Sequence, residues 1–366
     1  MVKSLEQVSK EIGEEIGAVK QLTPENGFFV ASFFGKAYEK VDSKIRMRFG
    51  FKGRNQPVSF GTFKTAKGYN SKYKNTHNYA NHYGEYIASI ALKQLGKKVC
   101  KTDLAEANFV HPFTKERTKI MGVLSHHQTN LNESVVLSES VCEKYRSKMK
   151  YGEEEEYRKY FPKGKSQSDK NYANIEVILN STLDYLTENG QEEKFPDIRK
   201  KIINTCIFDM KFANRDRHDE NLGFKINQYN NDISFYHLFD NEQILGMQEN
   251  QKDVKRYLKD PKLYEKFKNE KLTSYIGIPG STCHVDFRLL LKYLLDNYYT
   301  DTMEAVKDIG QYKISNLKEL MNCCPGLSNE HKEFAEKIFL DREKEMNEFI
   351  EEYNKKTKKR LDEQSL

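Results

Sequence analysis

The chain has 366 residues, which is enough for one large domain or for two lobes with separate cores. Its 60 basic and 54 acidic residues leave a net charge of +6, a mild excess that does not favour a nucleic-acid-binding protein. Charged residues make up 31% of the chain, and no stretch approaches the roughly 18 consecutive apolar residues of a membrane span. No apolar signal segment follows Met1, so we expect a cytoplasmic protein, with export by a signal-free route left open.

The first 127 residues predict a β-rich region that carries two helices. Apolar residues recur at steps of three and four along residues 1–25, which predicts an amphipathic helix. Residues 45–64 alternate between apolar and other residues around a turn, the pattern of a β-hairpin. A second helix is predicted at about residues 78–95, followed by strands near 101–107 and 119–125. Sheet, helix and sheet in this order are typical of the small lobe of a kinase-like fold.

From about residue 128 onward the pattern becomes mainly helical. A predicted hairpin interrupts it, with strands at residues 222–226 and 233–239 around an Asn-Asn-Asp turn. The predicted helices cover residues 175–186, 198–212, 287–298 and 333–353. We therefore predict an α+β, bilobal protein-kinase-like fold, with a small β-rich N-lobe at residues 1–127 and a larger, mainly helical C-lobe at 128–366.

Residues 214–221 read Asn-Arg-Asp-Arg-His-Asp-Glu-Asn and follow directly on an apolar helix. Asp216 and Asn221 lie in this segment, and Asp240 follows at the end of the predicted hairpin. Phosphoryl transfer requires one carboxylate to orient a hydroxyl, and oxygen ligands from two segments to hold Mg²⁺ against the phosphates of ATP. The spacing favours this chemistry, although a polar loop whose Asp and Asn side chains only cap the backbone would look similar.

The pattern Asn-x-Asp-x-His-x-x-Asn, followed by an Asp at the end of a hairpin, resembles the HipA-type serine/threonine kinases. Among these it most resembles the branch of smaller, cell-translocating kinases (CtkA). Thr62, Phe63 and Lys64 are similar to the strand that bears the ATP-binding lysine of the family, and residues 84–88 are similar to its Glu-bearing helix. The resemblance extends over about residues 35–345.

The resemblance implies a role for each of five side chains. Lys64 would hold the α- and β-phosphates, and Glu85 would pair with Lys64. Asp216 would be the catalytic carboxylate, and Asn221 and Asp240 would be the Mg²⁺ ligands. The implied cofactors are ATP and Mg²⁺, and the implied partner is a protein substrate with a serine or threonine acceptor.

Other positions are less clear or depart from the family. His218 is a further catalytic candidate that would either bond the transferring phosphate or brace the loop. The phosphate-covering loop is expected at residues 34–43, which hold a single glycine. Glu242 follows Asp240 closely, as a further metal-site acid or a solvent-facing residue. The long N-terminal subdomain of HipA toxins has no counterpart before Lys64, so an antitoxin partner is not supported.

The sequence therefore predicts an ATP- and Mg²⁺-dependent serine/threonine protein kinase that also phosphorylates itself. A phosphoinositide-type lipid kinase is the first alternative, because Asp-Arg-His-x-x-Asn also occurs in that group. Residues 241–250 lack the basic cluster that would bind a phosphorylated head group. A nucleotide-binding pseudokinase is the second alternative, suggested by the sparse glycine in the phosphate-covering loop.

Overall fold

A computed structural model describes most of the chain: residues 2–23, 26, 28–33, 46–51, 59–65, 79–110, 117–127, 129, 132–152, 174–281 and 284–364. The expected phosphate-covering loop at residues 34–43 lies outside the described residues. Among the described residues, no helix is both long and apolar enough to cross a bilayer.

Nine strands and eleven α-helices occur within the described part of the chain. In chain order they are α1 (Leu5–Ile12), β1 (Val19–Leu22), β2 (Phe28–Phe33), β3 (Arg46–Phe51), β4 (Ser59–Thr65), α2 (Asn81–Gln94), β5 (Thr102–Val110), β6 (Arg117–His126), β7 (Glu133–Leu137), α3 (Ser138–Gly152), α4 (Ile175–Glu188), α5 (Phe195–Lys211), β8 (Gly223–Asn227), β9 (Ile233–Phe235), α6 (Gln251–Lys259), α7 (Pro261–Lys271), α8 (Phe287–Asn297), α9 (Tyr299–Gly310), α10 (Ile314–Asn322) and α11 (Asn329–Gln364).

The N-terminal part is built on a six-stranded sheet with the order β1-β5-β6-β4-β3-β2. The hairpin predicted at residues 45–64 is present as β3 and β4, which pair antiparallel. In β4, Lys64 lies opposite Val123 of the central strand β6. Successive side chains of a strand alternate between its two faces, so Phe63 points into the small core of this sheet while Lys64 points the other way. The sheet thereby presents Lys64 toward the rest of the molecule.

Helix α2 packs between this sheet and the C-terminal part. It was predicted at residues 78–95 and is confirmed at Asn81–Gln94, ending before Gly96, which has φ +70°. All of its residues except Lys93 are buried, including the charged side chain of Glu85. A buried carboxylate is costly unless it is paired or hydrogen-bonded, so Glu85 must have partners close by.

The prediction of one helix across residues 1–25 is wrong. The helix spans only Leu5–Ile12, because Gly13 takes the left-handed conformation (φ +71°) that ends it. The following residues form strand β1, which pairs parallel with β5. Apolar residues at steps of three do not by themselves distinguish a helix from a short strand. The backbone hydrogen bonds of such a strand go to a partner that is distant in the sequence.

The C-terminal part has a small antiparallel sheet of its own, with the order β7-β8-β9. The prediction that the chain turns helical from residue 128 missed β7, whose Val135 and Val136 pair with β8. The predicted hairpin is present, but its second strand ends at Phe235 rather than at residue 239. The larger sheet ends at His126 and β7 begins at Glu133, while the predicted lobe boundary at 127/128 stays a prediction.

Helix α5 is the central element of the C-terminal part. Its last turn packs in an aromatic cluster in which Phe208 and Phe212 stack at 4.2 Å, with Tyr312 and Phe339 against Phe212. Lys211 is fully buried there and donates to the carbonyl of Tyr312 at 2.7 Å. This packing fixes the C-terminal end of α5, from which the predicted catalytic segment departs.

Candidate active site

The predicted catalytic segment begins at a defined helix end. After α5 the chain turns at Ala213, which has φ +49°. The Asn214 amide then bonds the carbonyl of Asp209 at 2.8 Å, and its side chain donates to Asp209 Oδ1 at 2.8 Å. The backbone N–H of Asp216 donates to Asn214 Oδ1 at 3.3 Å. Asn214 therefore stabilises the turn after α5 and orients the backbone at Asp216.

A buried guanidinium joins the two segments that carry the predicted metal ligands. Arg217 is only 1% exposed, and its Nη1 donates to the carbonyls of Asn221 at 3.0 Å and Phe239 at 3.1 Å. It also bonds both carboxylate oxygens of Asp209, at 2.9 and 3.2 Å, and the side-chain oxygen of Asn241. This role was not predicted from the sequence, because the local pattern does not distinguish the buried Arg217 from the partly exposed Arg215.

Asp209 depends on Arg217 for its charge. Burial raises the pKa of the Asp209 carboxyl, since it disfavours the anion, whereas the charge and hydrogen bonds of Arg217 act in the opposite direction. The same carboxylate raises the pKa of Arg217 against the effect of its own burial. The pair is thus a buried ion pair, whose integrity requires both partners.

Asn221 is oriented by the catalytic segment itself. Its Nδ2 donates to the carbonyl of Asp216 at 2.8 Å and lies 3.2 Å from Nε2 of His218. These contacts engage the nitrogen of the amide, so its oxygen is the atom left to act as a ligand. His218 thus contacts the side chain of Asn221, the predicted ligand, which favours the bracing role over contact with the phosphate.

The second predicted ligand, Asp240, is held by the helix that carries Glu85. The backbone amides of Asp240 and Asn241 donate to Glu85 Oε1 at 3.1 Å and Oε2 at 2.5 Å. Lys64 Nζ donates to Asp240 Oδ1 at 2.8 Å and lies 4.0 Å from Glu85 Oε2. The structure thus brings Lys64, Glu85 and Asp240 together. Glu85 makes its shorter contacts to the backbone of the Asp240 segment, rather than to Lys64 as the resemblance implied.

A close approach between α2 and the Asp240 segment explains a glycine in the helix. A Cβ added at Gly84 would lie 2.5 Å from the carbonyl oxygen of Glu242. Glu242 is 3% exposed, and its carboxylate accepts from Asn81 Nδ2 at 3.4 Å. It is therefore not the solvent-facing residue that the sequence left open as one alternative. Asp240 itself takes φ +53°, a left-handed conformation that Asp tolerates better than most residues.

A cleft of about 580 Å³ opens between the two sheets beside Lys64 and Asp240. This volume lies in the range of small-ligand sites, about 300–1,000 Å³. Burial raises the pKa of the Cys100 thiol in the wall to about 12, so it is protonated and unreactive at neutral pH. The cleft is lined by Thr62, Lys64, Cys100, Ser125, His126, His127, Thr129, Glu133, Val135, Leu137, Tyr236, Phe239 and Asp240.

The donor set of the site suits a hard divalent cation. Within the described ranges, no group of three or more His, Cys, Asp or Glu side chains could hold a metal. Asn221 and Asp240 offer one amide and one carboxylate oxygen, on segments joined by Arg217. Mg²⁺ is commonly held by one or two protein oxygens together with substrate phosphates and waters, so these two residues fit it.

The fold is shared with a protein kinase of known structure. The chain aligns with the proinflammatory kinase CtkA of Helicobacter pylori at 17% identity and a TM-score of 0.63, over 89% of this chain and 94% of that one. The chain has a kinase-like fold. The predicted α+β bilobal architecture and the predicted resemblance to HipA-like kinases of the CtkA branch are confirmed at the level of the fold.

Two further solved structures match more loosely. HipA of Shewanella oneidensis MR-1, in a complex with HipB and operator DNA, aligns at 13% identity and a TM-score of 0.49, over 96% of this chain and 73% of that one. A Golgi casein kinase aligns at 13% identity and 0.36, over 83% and 69%. No protein-family model matches the chain, and no curated protein sequence matches it.

Proposed function

We propose that the protein is an ATP- and Mg²⁺-dependent protein kinase that phosphorylates serine or threonine, including residues of its own chain. The observation that supports this most is the convergence of Lys64, Glu85 and Asp240 on one side of a cleft. Arg217 ties the Asp240 segment to the segment of Asp216 and Asn221. A kinase-like fold without activity would not require all five of the side chains assigned to phosphoryl transfer. These are Lys64, Glu85, Asp216, Asn221 and Asp240.

The chemistry assigned to Asp216 is the alignment of the acceptor. The acceptor hydroxyl oxygen bonds to the γ-phosphorus while the bond from that phosphorus to the β–γ bridging oxygen breaks, and ADP leaves. Asp216 accepts the hydroxyl proton and holds the oxygen in line. Asp216 lies two residues after Asn214, in a loop anchored to the buried Asp209, and these bonds fix the backbone that carries its carboxylate.

Lys64 and the two ligand residues act on the phosphates. In this structure Lys64 Nζ is shared between Asp240 and Glu85, at 2.8 and 4.0 Å. Lys64 lines the cleft, so its ammonium group can contact phosphates bound there. Asp240 Oδ1, no longer bonded to Lys64, would then be available as a ligand. Mg²⁺, held by Asn221 and Asp240, would offset the negative charge that develops on the transferring group.

The test is transfer of radiolabel from [γ-³²P]ATP with two acceptors in parallel, a generic basic protein and phosphatidylinositol vesicles. We expect Mg²⁺-dependent label on the protein acceptor and on the chain itself, and none on the lipid. Lys64→Met should abolish the label, whereas Lys97→Met should keep it. Lys97 is a matched control because it bonds Asn204 and Asp308, away from the cleft.

Each contrary outcome has its own meaning. Label on the lipid alone would show that the acceptor is a lipid and not a protein. Nucleotide binding without label on any acceptor would establish a pseudokinase and contradict the proposed activity. Full transfer by Lys64→Met would contradict the assignment of the phosphate-binding lysine.

A further inference from the structure

The loop between α7 and α8 lies against the catalytic segment and is anchored at three places. Ser274 N–H donates to the carbonyl of Val285 at 2.8 Å, which joins the two sides of the loop. Ile175 N–H donates to the carbonyl of Gly277 at 3.0 Å, which ties the loop to the start of α4. Arg342 donates to the carbonyl of Leu272 at 2.6 Å. These bonds fix the backbone on both sides of the loop.

Two aromatic side chains of this loop form a row of packed rings that begins at His218. Tyr275 packs on His218 with ring centroids 5.4 Å apart, and His284 packs on Tyr275 at 4.8 Å in a T-shaped arrangement. We call Tyr275 and His284 the ring pair. The steps of phosphoryl transfer assigned above use neither residue. Their positions are nonetheless fixed relative to the catalytic segment through His218.

His284 lies beside Tyr275 in a defined backbone conformation. His284 has φ +63°, a left-handed conformation that is uncommon for residues with a side chain but in which Asn, Asp and His are enriched. Thr273 Oγ1 lies 3.5 Å from Nδ1 of His284. Both residues adjoin the antiparallel bridge between Ser274 and Val285. The ring is therefore held beside Tyr275 while His284 remains accessible to solvent.

The ring pair lies within the electrostatic reach of the catalytic carboxylate. Partial burial lowers the pKa of His284, the charge of Arg215 lowers it further, and the charge of Asp216 raises it. Arg215 itself is engaged by Gln243 at 3.1 Å and by Glu249 at 3.6 Å. With a pKa below its ordinary value of 6.5, His284 is neutral at pH 7, so the ring pair presents an uncharged aromatic surface, and Arg215 is already paired.

The ring pair lies beside the segment that carries Asp216, the residue to which alignment of the acceptor is assigned. Tyr275 contacts His218, two residues after Asp216. An acceptor hydroxyl must approach the γ-phosphate in line, opposite to the leaving ADP. A polypeptide that presents its hydroxyl to Asp216 from that direction passes next to these rings.

We infer that Tyr275 and His284 form a specificity-determining wall that contacts the residue beside the acceptor serine or threonine and selects an apolar or aromatic side chain there. This inference rests on the proposed kinase function. Contacts between aromatic rings favour the binding of an aromatic residue by roughly 2- to 10-fold over a small polar one. Acidic and basic neighbours gain nothing from an uncharged wall.

A positional-scanning library of serine- and threonine-centred peptides, labelled with [γ-³²P]ATP, tests the inference. We expect the full-length chain to prefer aromatic or large apolar residues at one position flanking the acceptor. Tyr275→Leu and His284→Asn should reduce that preference about 2- to 10-fold by raising the acceptor KM, with the KM for ATP and kcat unchanged. Asparagine is chosen because it tolerates the positive φ at His284.

Two controls separate a specific role from a structural one. Tyr275→Phe keeps the ring and should keep the preference. Tyr229→Ala removes a tyrosine that is 80% exposed in the turn between β8 and β9, and it should change nothing. If only the chain itself is labelled, the residues that flank the modified sites are compared between the wild type and the variants by mass spectrometry.

The outcomes distinguish the inference from the proposed function. Transfer with the same flanking preference and the same acceptor KM in every variant would overturn the ring-pair wall and leave the kinase assignment standing. A wild-type preference for charged flanking residues would overturn it as well. Absence of transfer to any peptide and to the chain itself would overturn the proposed function together with the inference.

Discussion

The two sides of the candidate site are held in different ways. On the side proposed to be catalytic, Arg217 is buried and makes side-chain bonds to Asp209 and Asn241, so the loop is fixed by an internal network. On the side proposed to bind the nucleotide, which we call the nucleotide side, Lys64 and Glu85 reach the Asp240 segment from different elements, through a few contacts of 2.5 to 4.0 Å. The first arrangement depends on the core of the C-terminal part. The second depends on how strand β4 and helix α2 pack against the Asp240 segment.

The difference indicates which changes should unfold the protein and which should only slow it. Removing a member of the buried network leaves an uncompensated charge in the core, which costs stability. Removing a contact between Lys64 and Asp240 leaves groups that line an open cleft and can be solvated, so the main cost falls on phosphate positioning. Three substitutions test this contrast, and a fourth tests the effect of burial in α2.

The largest expected effect is that of Asp240→Asn on catalysis. Asparagine keeps the shape of the side chain but loses the charge that would hold Mg²⁺, so we expect kcat/KM to fall by about 10³-fold, on the order of 4 kcal/mol. Asp232→Asn changes an exposed acid of the same hairpin, paired with Lys194, and should leave the rate unchanged. Steady-state kinetics across a range of Mg²⁺ concentrations measures the effect. Equal rates for both variants would contradict the metal-ligand assignment.

Arg217→Ala should have the largest effect on stability. It leaves the Asp209 carboxylate buried without its partner, so we expect the free energy of unfolding to fall by about 3–5 kcal/mol. The double variant Arg217→Met, Asp209→Leu removes both charges and should recover much of that loss. Arg288→Ala breaks an exposed pair with Asp286 and should cost under about 0.5 kcal/mol. Denaturant unfolding gives the comparison, and a small loss for Arg217→Ala would show that the network does not hold the loop.

Glu85→Gln should slow transfer with little unfolding. A glutamine can accept from one of the amides of Asp240 and Asn241, while its NH₂ group faces the other donor. Loss of a charge-assisted bond of about 1.5–3 kcal/mol predicts a decrease in kcat/KM of roughly 10- to 100-fold. Glu106→Gln, on the same part of the chain and paired with Lys119 at 3.3 Å, is the matched control. A wild-type rate for Glu85→Gln would contradict the link between α2 and the Asp240 segment.

The smallest expected effect concerns pH and His82 in α2. Burial lowers the pKa of His82 to about 3, from about 6.5 in the unfolded chain. As pH falls below 6.5 the unfolded state takes up a proton that the folded state does not, so stability is lost between pH 6.5 and 3. At pH 5 the loss is on the order of 2 kcal/mol. His82→Leu should make the decrease between pH 7 and 5 shallower by that amount in thermal or denaturant unfolding, and an unchanged slope would refute the prediction.

The sequence predicted the parts of the site that depend on local patterns. Alternation between apolar and other residues over 45–64 predicted the hairpin whose second strand carries Lys64, because the period of a strand is two. Helix α5 and the hairpin after Asn221 were visible as apolar periodicity and a turn. These patterns placed Asp216 and Asp240 on segments that the fold brings together.

The rest depended on tertiary contacts that no local pattern reports. The burial of Arg217 follows from the packing of α5, and the bonds of Glu85 to two backbone amides follow from the close approach at Gly84. Strand β1 was missed because its partner, β5, begins about eighty residues later. Strand β7 was missed for the same reason, since it pairs with β8.

The central claim is that Asp216 aligns the acceptor hydroxyl without contributing to the binding of ATP. The most direct measurement is the single-turnover rate of phosphate incorporation into the chain at saturating Mg-ATP, for Asp216→Asn against Glu220→Gln, a carboxylate-to-amide change in the same segment. The account predicts that Asp216→Asn lowers this rate by about 10²- to 10⁴-fold with ATP affinity unchanged, and that Glu220→Gln keeps it. A wild-type rate for Asp216→Asn would contradict the account.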